Sequence, residues 1–403
     1  MKLYAQIGFG PGEKLSRGLE EGSIEGAIYS PKDQAKETMK QHISDIHRSN
    51  SEADILIDPQ FYTCLQADSP AINTGKISDW DYFRAYRKGD LEITRTIDQV
   101  LTDFFEEVLE FDVTHVISPN IYISQSFDSR EAVIAKNFVR QTKSIFASTG
   151  DTRPLFPSLI ICREALQDRR EFEEFINDIT MIEDPPDGFY IVIAGRASDA
   201  RSDIFHTDVL ANWMLLNLSL SVNGFEVING YSDIVSPFLG AAGGTAGATG
   251  WYSNLRMFSM DRFFPAGGGR QPIIRYLSKV LLNRITYFEK DALLSVGFDK
   301  VLNGLTRDVD YTSESTDTSD YDPKPARADE VLQSWEAIHS LLEDLVTEDV
   351  TISLEQCKQA VLQTEQAYNE IAASGIALDS KSNDDHVIPL LEAIEQFRER
   401  AEL

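Results

Sequence analysis

The stretch FEVINGYSDIVSPFLGAAGGTAGATGWYSNLR, residues 225–256, indicates the fold most strongly. An apolar run ends at Asn229-Gly230, a short amphipathic segment follows, and a Gly-Gly turn leads to the small-residue run Ala246–Thr249, which ends at Gly250. The order strand, glycine, helix, glycine turn, strand is typical of the last two units of a (β/α)8 barrel. In such barrels the active site lies at the carboxyl ends of the strands.

The same alternation begins at the start of the chain. Eight short apolar runs are separated by segments with helical periodicity, which favours parallel strands joined by crossover helices. We therefore predict an α/β fold, a TIM-like (β/α)8 barrel over residues 1–307, with an additional covering helix over Ile273–Asn283. The predicted strands are Leu3–Gly8, Gly26–Tyr29, Ile55–Asp58, Thr114–Ser118, Ser158–Cys162, Tyr190–Ala194, Phe225–Ile228 and Ala246–Thr249.

The last quarter of the chain has a different composition. Residues 311–325 are rich in Ser, Thr and Asp and end in proline, so we predict a linker over residues 308–327. Residues 328–403 show the spacing of amphipathic helices with acidic outer faces. From Asp308 onward, 23 acidic and 6 basic residues carry −17 of the net charge of −28. We expect an acidic helical extension that is separable from the barrel and binds a basic protein partner.

Composition limits the class of protein. The 403 residues contain no apolar run as long as a membrane span, and no basic-then-apolar signal segment opens the chain, so we predict a soluble, cytoplasmic protein. A net charge of −28 disfavours non-specific binding of nucleic acid. A local basic patch is still possible, either from Arg84, Arg87 and Lys88 or from Arg256, Arg262, Arg270 and Arg275.

We expect no metal and no resident cofactor. Three scattered cysteines form neither a disulfide framework nor a zinc motif, and the six histidines contain no HxH or HxxxH pair. The glycines of residues 8–12 do not match a dinucleotide-binding fingerprint. A flavin or sugar-phosphate barrel that uses the loops at Gly230 and Gly250 stays open as an alternative.

Asp58 is the leading candidate for a catalytic residue. It ends the third predicted strand in the segment ILIDPQFY, residues 55–62, where a barrel presents its catalytic groups. Gln60 and Phe61 follow it and are predicted to contact a substrate. The alternative is an aspartate that caps a turn.

Polar side chains after the middle strands are further candidates for substrate binding. Arg163 and Arg196 follow strands five and six and are suited to hold a phosphate or carboxylate, with surface ion pairs as the alternative. Asn120 follows strand four and offers both donors and an acceptor, with a turn as the alternative. The aromatic residues of the long segment 63–90 would form either a lid or a small core of their own.

The ends of the last two strands combine small and aromatic residues. Backbone N–H groups near Asn229, Gly230 and Gly250 would bind an anion. Trp251 and Tyr252 would stack on a flat ring. The alternative is close helix–strand packing that requires small residues.

The order of these features resembles the tRNA-guanine transglycosylase family of barrels. The segment ILIDPQFY stands where that family has a DSGGF-type turn, with Asp58 matching the acid and Phe61 the aromatic residue. Ala194-Gly195 corresponds to a Gly-Gly strand end of the family. The resemblance implies a pocket for a nucleobase. Where the family carries its nucleophilic aspartate this chain has Thr249-Gly250, and the family's zinc ligands are absent, so base exchange on tRNA is not implied.

The sequence thus predicts a barrel enzyme that acts on a nucleobase, a nucleoside or a similar small polar ring. Asp58 would be the acid/base group or nucleophile, Arg163 and Arg196 the clamps, and Trp251 or Tyr252 the stacking surface. The alternative from another class is a catalytically inactive barrel that serves as the binding subunit of a protein complex.

Overall fold

The fold is that of a computed structural model, which describes residues 1–197, 201–265, 273–309 and 327–403. Eight parallel strands form its centre. They are β1 (Lys2–Gln6), β2 (Gly26–Tyr29), β3 (Asp54–Ile57), β4 (Val116–Ser118), β5 (Leu155–Cys162), β6 (Gly188–Gly195), β7 (Glu226–Gly230) and β8 (Ala246–Thr249).

The strands form a nearly closed barrel. Hydrogen-bonded neighbours run β3-β2-β1-β8-β7-β6-β5-β4, and every pair in this series is parallel. The gap between β3 and β4 is bridged just before β4 begins. The Thr114 backbone N–H donates to the Ile55 carbonyl (2.9 Å), and the Ile55 N–H donates to the Thr114 hydroxyl (2.8 Å). The predicted fold class is therefore confirmed.

Helices connect the strands and cover the outside of the barrel. Because each strand packs against the barrel interior on one face and against helices on the other, a run such as β5 is buried along its whole length. The helices are α1 (Lys14–Glu20), α2 (Lys36–Ser49), α3 (Thr94–Val108), α4 (Arg130–Ser148), α5 (Arg169–Thr180), α6 (Thr207–Val222), α7 (Ser236–Ala241), α8 (Tyr287–Ser295), α9 (Arg327–Leu345), α10 (Val350–Ala373) and α11 (Val387–Arg400), with single turns at Lys88–Leu91, Arg201–Ile204, Ser253–Arg256 and Thr306–Val309.

The helix predicted over Ile273–Asn283 is wrong. This segment forms the first strand and the turn of an antiparallel hairpin, β9 (Arg275–Ser278) and β10 (Asn283–Thr286). The edge of β9 is satisfied by a distant side chain, because the Leu277 N–H donates to Gln333 of α9 and the Leu277 carbonyl accepts from it. A partner far away in the chain therefore decides the conformation here.

The helices of the C-terminal extension pack directly on the barrel. The indole of Trp335 in α9 is buried against Gly18 of α1, where an added Cβ would lie 2.8 Å from ring carbons. In α11, Arg400 forms an ion pair with Asp208 of α6 (2.7 Å). The apolar stripes of these acidic helices are buried on the barrel, which argues against the separable unit that composition predicts.

The boundaries predicted for the linker are not tested. Most of residues 308–327, namely 310–326, and Arg270 of the proposed basic patch lie outside the described residues. Within the described ranges, no helix combines the length and the apolar composition that a membrane crossing needs.

Candidate functional site

Asp58 lies at the carboxyl end of β3 in a buried polar network. One carboxylate oxygen accepts the Gln60 backbone N–H (3.1 Å), and the other accepts the hydroxyls of Tyr62 (3.1 Å) and Tyr190 (3.5 Å). Gln60 has a positive φ of 52°, and its side chain is bonded to Ser30 (2.7 Å). Asp58 therefore caps a turn, as the alternative interpretation held, and also accepts two phenol hydroxyls inside the barrel.

Burial controls the protonation of Asp58. The side chain is fully buried, and burial raises its pKa from an ordinary value near 3.8 to about 6. The Gln60 N–H and the nearby Arg262 guanidinium oppose this shift but do not cancel it. A carboxyl with this pKa exchanges its proton close to neutral pH, as a general acid or base must.

Arg262 joins this network through Ser30. It comes from the 3₁₀ turn Met260–Phe263, and it donates to the hydroxyls of Tyr231 (2.6 Å) and Ser30 (2.6 Å) while pairing with Asp33. The Phe263 ring of the same turn packs edge-on against Tyr62. Arg262 and Phe263 are themselves buried, so this turn belongs to the same buried region as Asp58.

A cavity of about 560 Å³ lies beside this network, next to the carboxyl ends of β7 and β8, and is called here the β7–β8 cavity. The hairpin β9–β10 and the segment 379–381 complete its wall. It is therefore built jointly by the barrel and by elements that follow it in the chain. Its polar and aromatic lining includes Tyr231, Ser232, Asp233, Trp251, Tyr252, Ser253, Arg256, Arg275, Asn283, Arg284, Arg327, Asp379, Ser380 and Lys381.

Backbone strain is concentrated in this cavity. Tyr231 (φ 54°), Asp233 (φ 42°) and Leu282 (φ 46°) all line it in a conformation that non-glycine residues rarely adopt. Asp233 is held there by Arg284, which donates to both carboxylate oxygens (2.5 and 2.8 Å), and by the Thr249 hydroxyl (2.5 Å). Such strain persists only where the surroundings enforce it, and it is most common at functional sites.

The lining of the β7–β8 cavity carries an excess of positive charge. Two carboxylates, Asp233 and Asp379, face five cationic side chains in a chain whose net charge is −28. Asp233 has a lowered pKa despite its burial because Arg284 and Arg256 are near. The five cations are Arg256, Arg275, Arg284, Arg327 and Lys381.

Trp251 and Tyr252 are the predicted site residues that line this cavity. Trp251 is almost fully buried, with the Lys14 ammonium 5.0 Å from its ring centroid. Its indole Nε1–H has no hydrogen-bond partner among the described residues. Tyr252 is 42% exposed, so its ring remains available for stacking.

The other candidates near the last strands have packing roles. The Asn229 carboxamide is bonded to Trp213 (2.8 Å) and Asn217 (2.7 Å) of α6. The phenol of Tyr190 fills the space in front of Gly230. At Gly250, an added Cβ would lie 2.5 Å from Leu255 and 2.6 Å from the Gln6 carbonyl oxygen. The need for small residues therefore explains these glycines.

We expect Gly250→Ala to lower the free energy of unfolding by about 1–3 kcal/mol, since overpacking forces the surroundings to move. The Gln6 oxygen belongs to β1 and cannot shift without disturbing the sheet. Gly89→Ala is the control, because no atom lies within 4 Å of its added Cβ. Denaturant unfolding measures both, and equal stability of the two variants would contradict the packing role.

The candidates on the middle strands are also engaged elsewhere. The Asn120 carboxamide donates to the Ser158 carbonyl (2.8 Å). Arg163 is buried in an ion pair with Asp203, and Arg196 is exposed and paired with Glu164 (3.0 Å). These residues do not line the β7–β8 cavity. The surface ion pair of the alternative describes Arg196, whereas the ion pair of Arg163 is buried.

The long loop after β3 forms a small core. The Phe61 ring packs against Tyr82, Phe83, Tyr86 and Phe138. All of these rings are buried. The loop aromatics thus anchor the loop and do not form an open lid.

Sequence reasoning missed part of the cavity lining. Asp233 begins the short amphipathic segment after Gly230 and carries no signal of its own, and Arg284 belongs to the hairpin, 51 positions further on. Of the predicted basic patch, Arg256 and Arg275 do meet in the cavity, whereas Arg262 turns to Asp33. Within the described residues, no group of three or more His, Cys, Asp and Glu side chains is arranged to hold a metal ion.

Comparisons with known proteins assign no family to this chain. No protein-family model and no curated protein matches the sequence. Among solved structures 37 chains match. One is the endo-β1,6-glucanase BT3312, at 9% identity and a TM-score of 0.36, aligned over 62% of this chain and 65% of the glucanase. The alignment thus spans less than two thirds of that enzyme, and a likeness at this TM-score carries no argument about activity.

Proposed function

We propose that this protein is a (β/α)8-barrel enzyme that acts on a small polar molecule with a flat ring, of the nucleobase or nucleoside kind. The substrate would bind in the β7–β8 cavity. Two features at the carboxyl ends of the strands support this proposal. The ring of Tyr252 is exposed, and the polar wall around Asp233 is held rigidly. The resemblance to tRNA-guanine transglycosylases is not supported by the comparisons, so the proposal depends on the cavity.

The cavity offers distinct groups for a ring and for its polar edge. Tyr252 would stack on one face of the ring. The unpartnered Trp251 Nε1–H would donate to an acceptor atom of the substrate. Asp233, fixed by Arg284 and Thr249, would keep the opposite wall in place.

Asp58 would be the acid/base group although it does not line the cavity. The Tyr62 hydroxyl donates to Asp58, and Tyr231, which does line the cavity, lies near both of these side chains. A proton removed from the substrate would pass through the hydroxyls of Tyr231 and Tyr62 to the Asp58 carboxylate. The pKa of Asp58, about 6, suits such a transfer near neutral pH.

We expect Tyr252→Ala to weaken the binding of a nucleobase or nucleoside about tenfold or more, because stacking on an aromatic ring contributes roughly 1–3 kcal/mol. Isothermal titration calorimetry with free bases, nucleosides and ribose measures this effect. Tyr252→Phe keeps the ring and should bind as the wild type does. Phe288→Ala removes an exposed ring from α8, which does not line the cavity, and is the control. If no base or nucleoside binds the wild-type protein, the proposal is wrong.

A second candidate function is that of a non-catalytic binding subunit. The observation that favours it is the complete burial of Asp58, whose carboxylate is closed to solvent in this structure. In this reading the acidic outer faces of α9–α11 would bind a basic protein. Turnover of any ligand found by calorimetry would exclude it.

A further inference from the structure

We propose that the β7–β8 cavity binds the phosphate group of its ligand, with Arg256 as the main contact and Arg284 beside it. This rests on the proposed function and narrows it: the substrate would be a phosphate monoester of the nucleotide type. The charge of the lining, five cations against two carboxylates, is the first support. Such a concentration of cations is unexpected in a chain with a net charge of −28, and the binding of an anion would account for it.

Arg256 differs from the other cations of the cavity. Arg275 is paired with Asp379 (3.0 Å), Arg284 with Asp233 (2.5 Å) and Arg327 with Glu330. Across the described ranges, the guanidinium of Arg256 takes part in no ion pair and no hydrogen bond, although the side chain is partly buried and lines the cavity.

The pKa of Arg256 shows that its surroundings disfavour the positive charge, which a bound anion would stabilise. Burial, and then the neighbouring Arg284, lower its pKa to about 10, so the guanidinium stays charged at neutral pH in surroundings that oppose the charge. A phosphate placed between the two guanidinium groups would offset both effects, and the planar N–H groups suit its oxygens.

Two further hydrogen-bond donors of the cavity lining have no partner among the described residues, which supports the anion site independently of the charge. The Nε of Arg284 and the Nε1 of Trp251 are buried and have no hydrogen-bond partner among the described residues. A buried N–H without a partner is unfavourable, and a ligand oxygen would satisfy it. Arginine and indole N–H groups are donors only, so the missing partner must be an acceptor, as phosphate oxygens are.

The experiment compares Arg256→Gln with Arg196→Gln. Arg196 is an exposed, ion-paired arginine after β6, so its replacement changes the net charge equally without touching the cavity. Calorimetry at constant ionic strength would use inorganic phosphate, a nucleoside and its 5′-monophosphate.

We expect the wild type and Arg196→Gln to bind phosphate and to prefer the monophosphate. Arg256→Gln should lose about tenfold or more of the affinity for both anions, since it removes the charged hydrogen bonds to the phosphate. Its affinity for the nucleoside should change less than about twofold, as a neutral ligand does not need the guanidinium.

The outcomes separate this inference from the proposed function. If the nucleoside binds but phosphate does not, or if Arg256→Gln keeps the phosphate affinity, the anion site is wrong and the proposed function stands. If phosphate binds through Arg256 and no base or nucleoside binds, the anion site stands and the proposed function fails. Arg256→Lys keeps the charge and should retain part of the affinity. A thermal melt of each variant without ligand checks that it is folded.

Discussion

Replacement of Trp335 by alanine is expected to lower the free energy of unfolding by about 3–5 kcal/mol, as removal of a large buried aromatic ring does. Trp335 is 1% exposed, and it joins α9 of the acidic extension to α1 of the barrel through contact with Gly18. The loss would therefore loosen the extension and the barrel together, and denaturant unfolding should show one transition at a lower midpoint.

The control is Ile388→Ala in α11, which removes an apolar side chain of the same extension that is 63% exposed. It should leave the free energy of unfolding almost unchanged. If Trp335→Ala were equally harmless, or if the protein unfolded in two separate transitions, the extension would be the separable unit that composition predicts. Deletion of residues 328–403 tests the same point more severely, and we expect it to abolish cooperative unfolding.

Asp58→Asn is expected to stabilise the protein at pH 8 by up to about 3 kcal/mol and to have little effect on stability at pH 4. The pKa of Asp58 is about 6 in the folded protein and near 3.8 in an unfolded chain, so between these values the folded state holds the additional proton. The stability that Asp58 contributes is thus complete below pH 4, falls as the pH rises towards 6, and stays low above it. An asparagine, which cannot ionise, removes this pH dependence.

The same variant tests the proposed role of Asp58. Because asparagine cannot accept the proton, Asp58→Asn should abolish turnover while ligand binding in the cavity persists. Asp68→Asn, an exposed position in the loop that follows, is the control and should change neither stability nor activity. A stability gain that is equal at pH 4 and pH 8 would show that Asp58 does not ionise as described. Unchanged turnover would leave Asp58 as a turn cap alone.

The carboxyl ends of the strands show how much of the candidate site can be predicted from the sequence. Because all carboxyl ends of a parallel barrel meet on one face, the sequence places Asp58, Arg196, Asn229 and Trp251 on the same side of the molecule. It does not show which way their side chains point. Asn229 turns to α6, Arg196 pairs with Glu164, and only Trp251 of these four lines the cavity.

The sequence by itself determined the barrel. Strand and helix periodicity is a local property, and eight alternating units with glycines at their ends leave few other arrangements. Only the tertiary structure decided the hairpin at Arg275–Thr286, the packing of α9–α11 on the barrel and the burial of Asp58. The physical reason is that each of these depends on partners far apart in the chain. Periodicity shows that a face must be buried, but it does not name the surface that buries it.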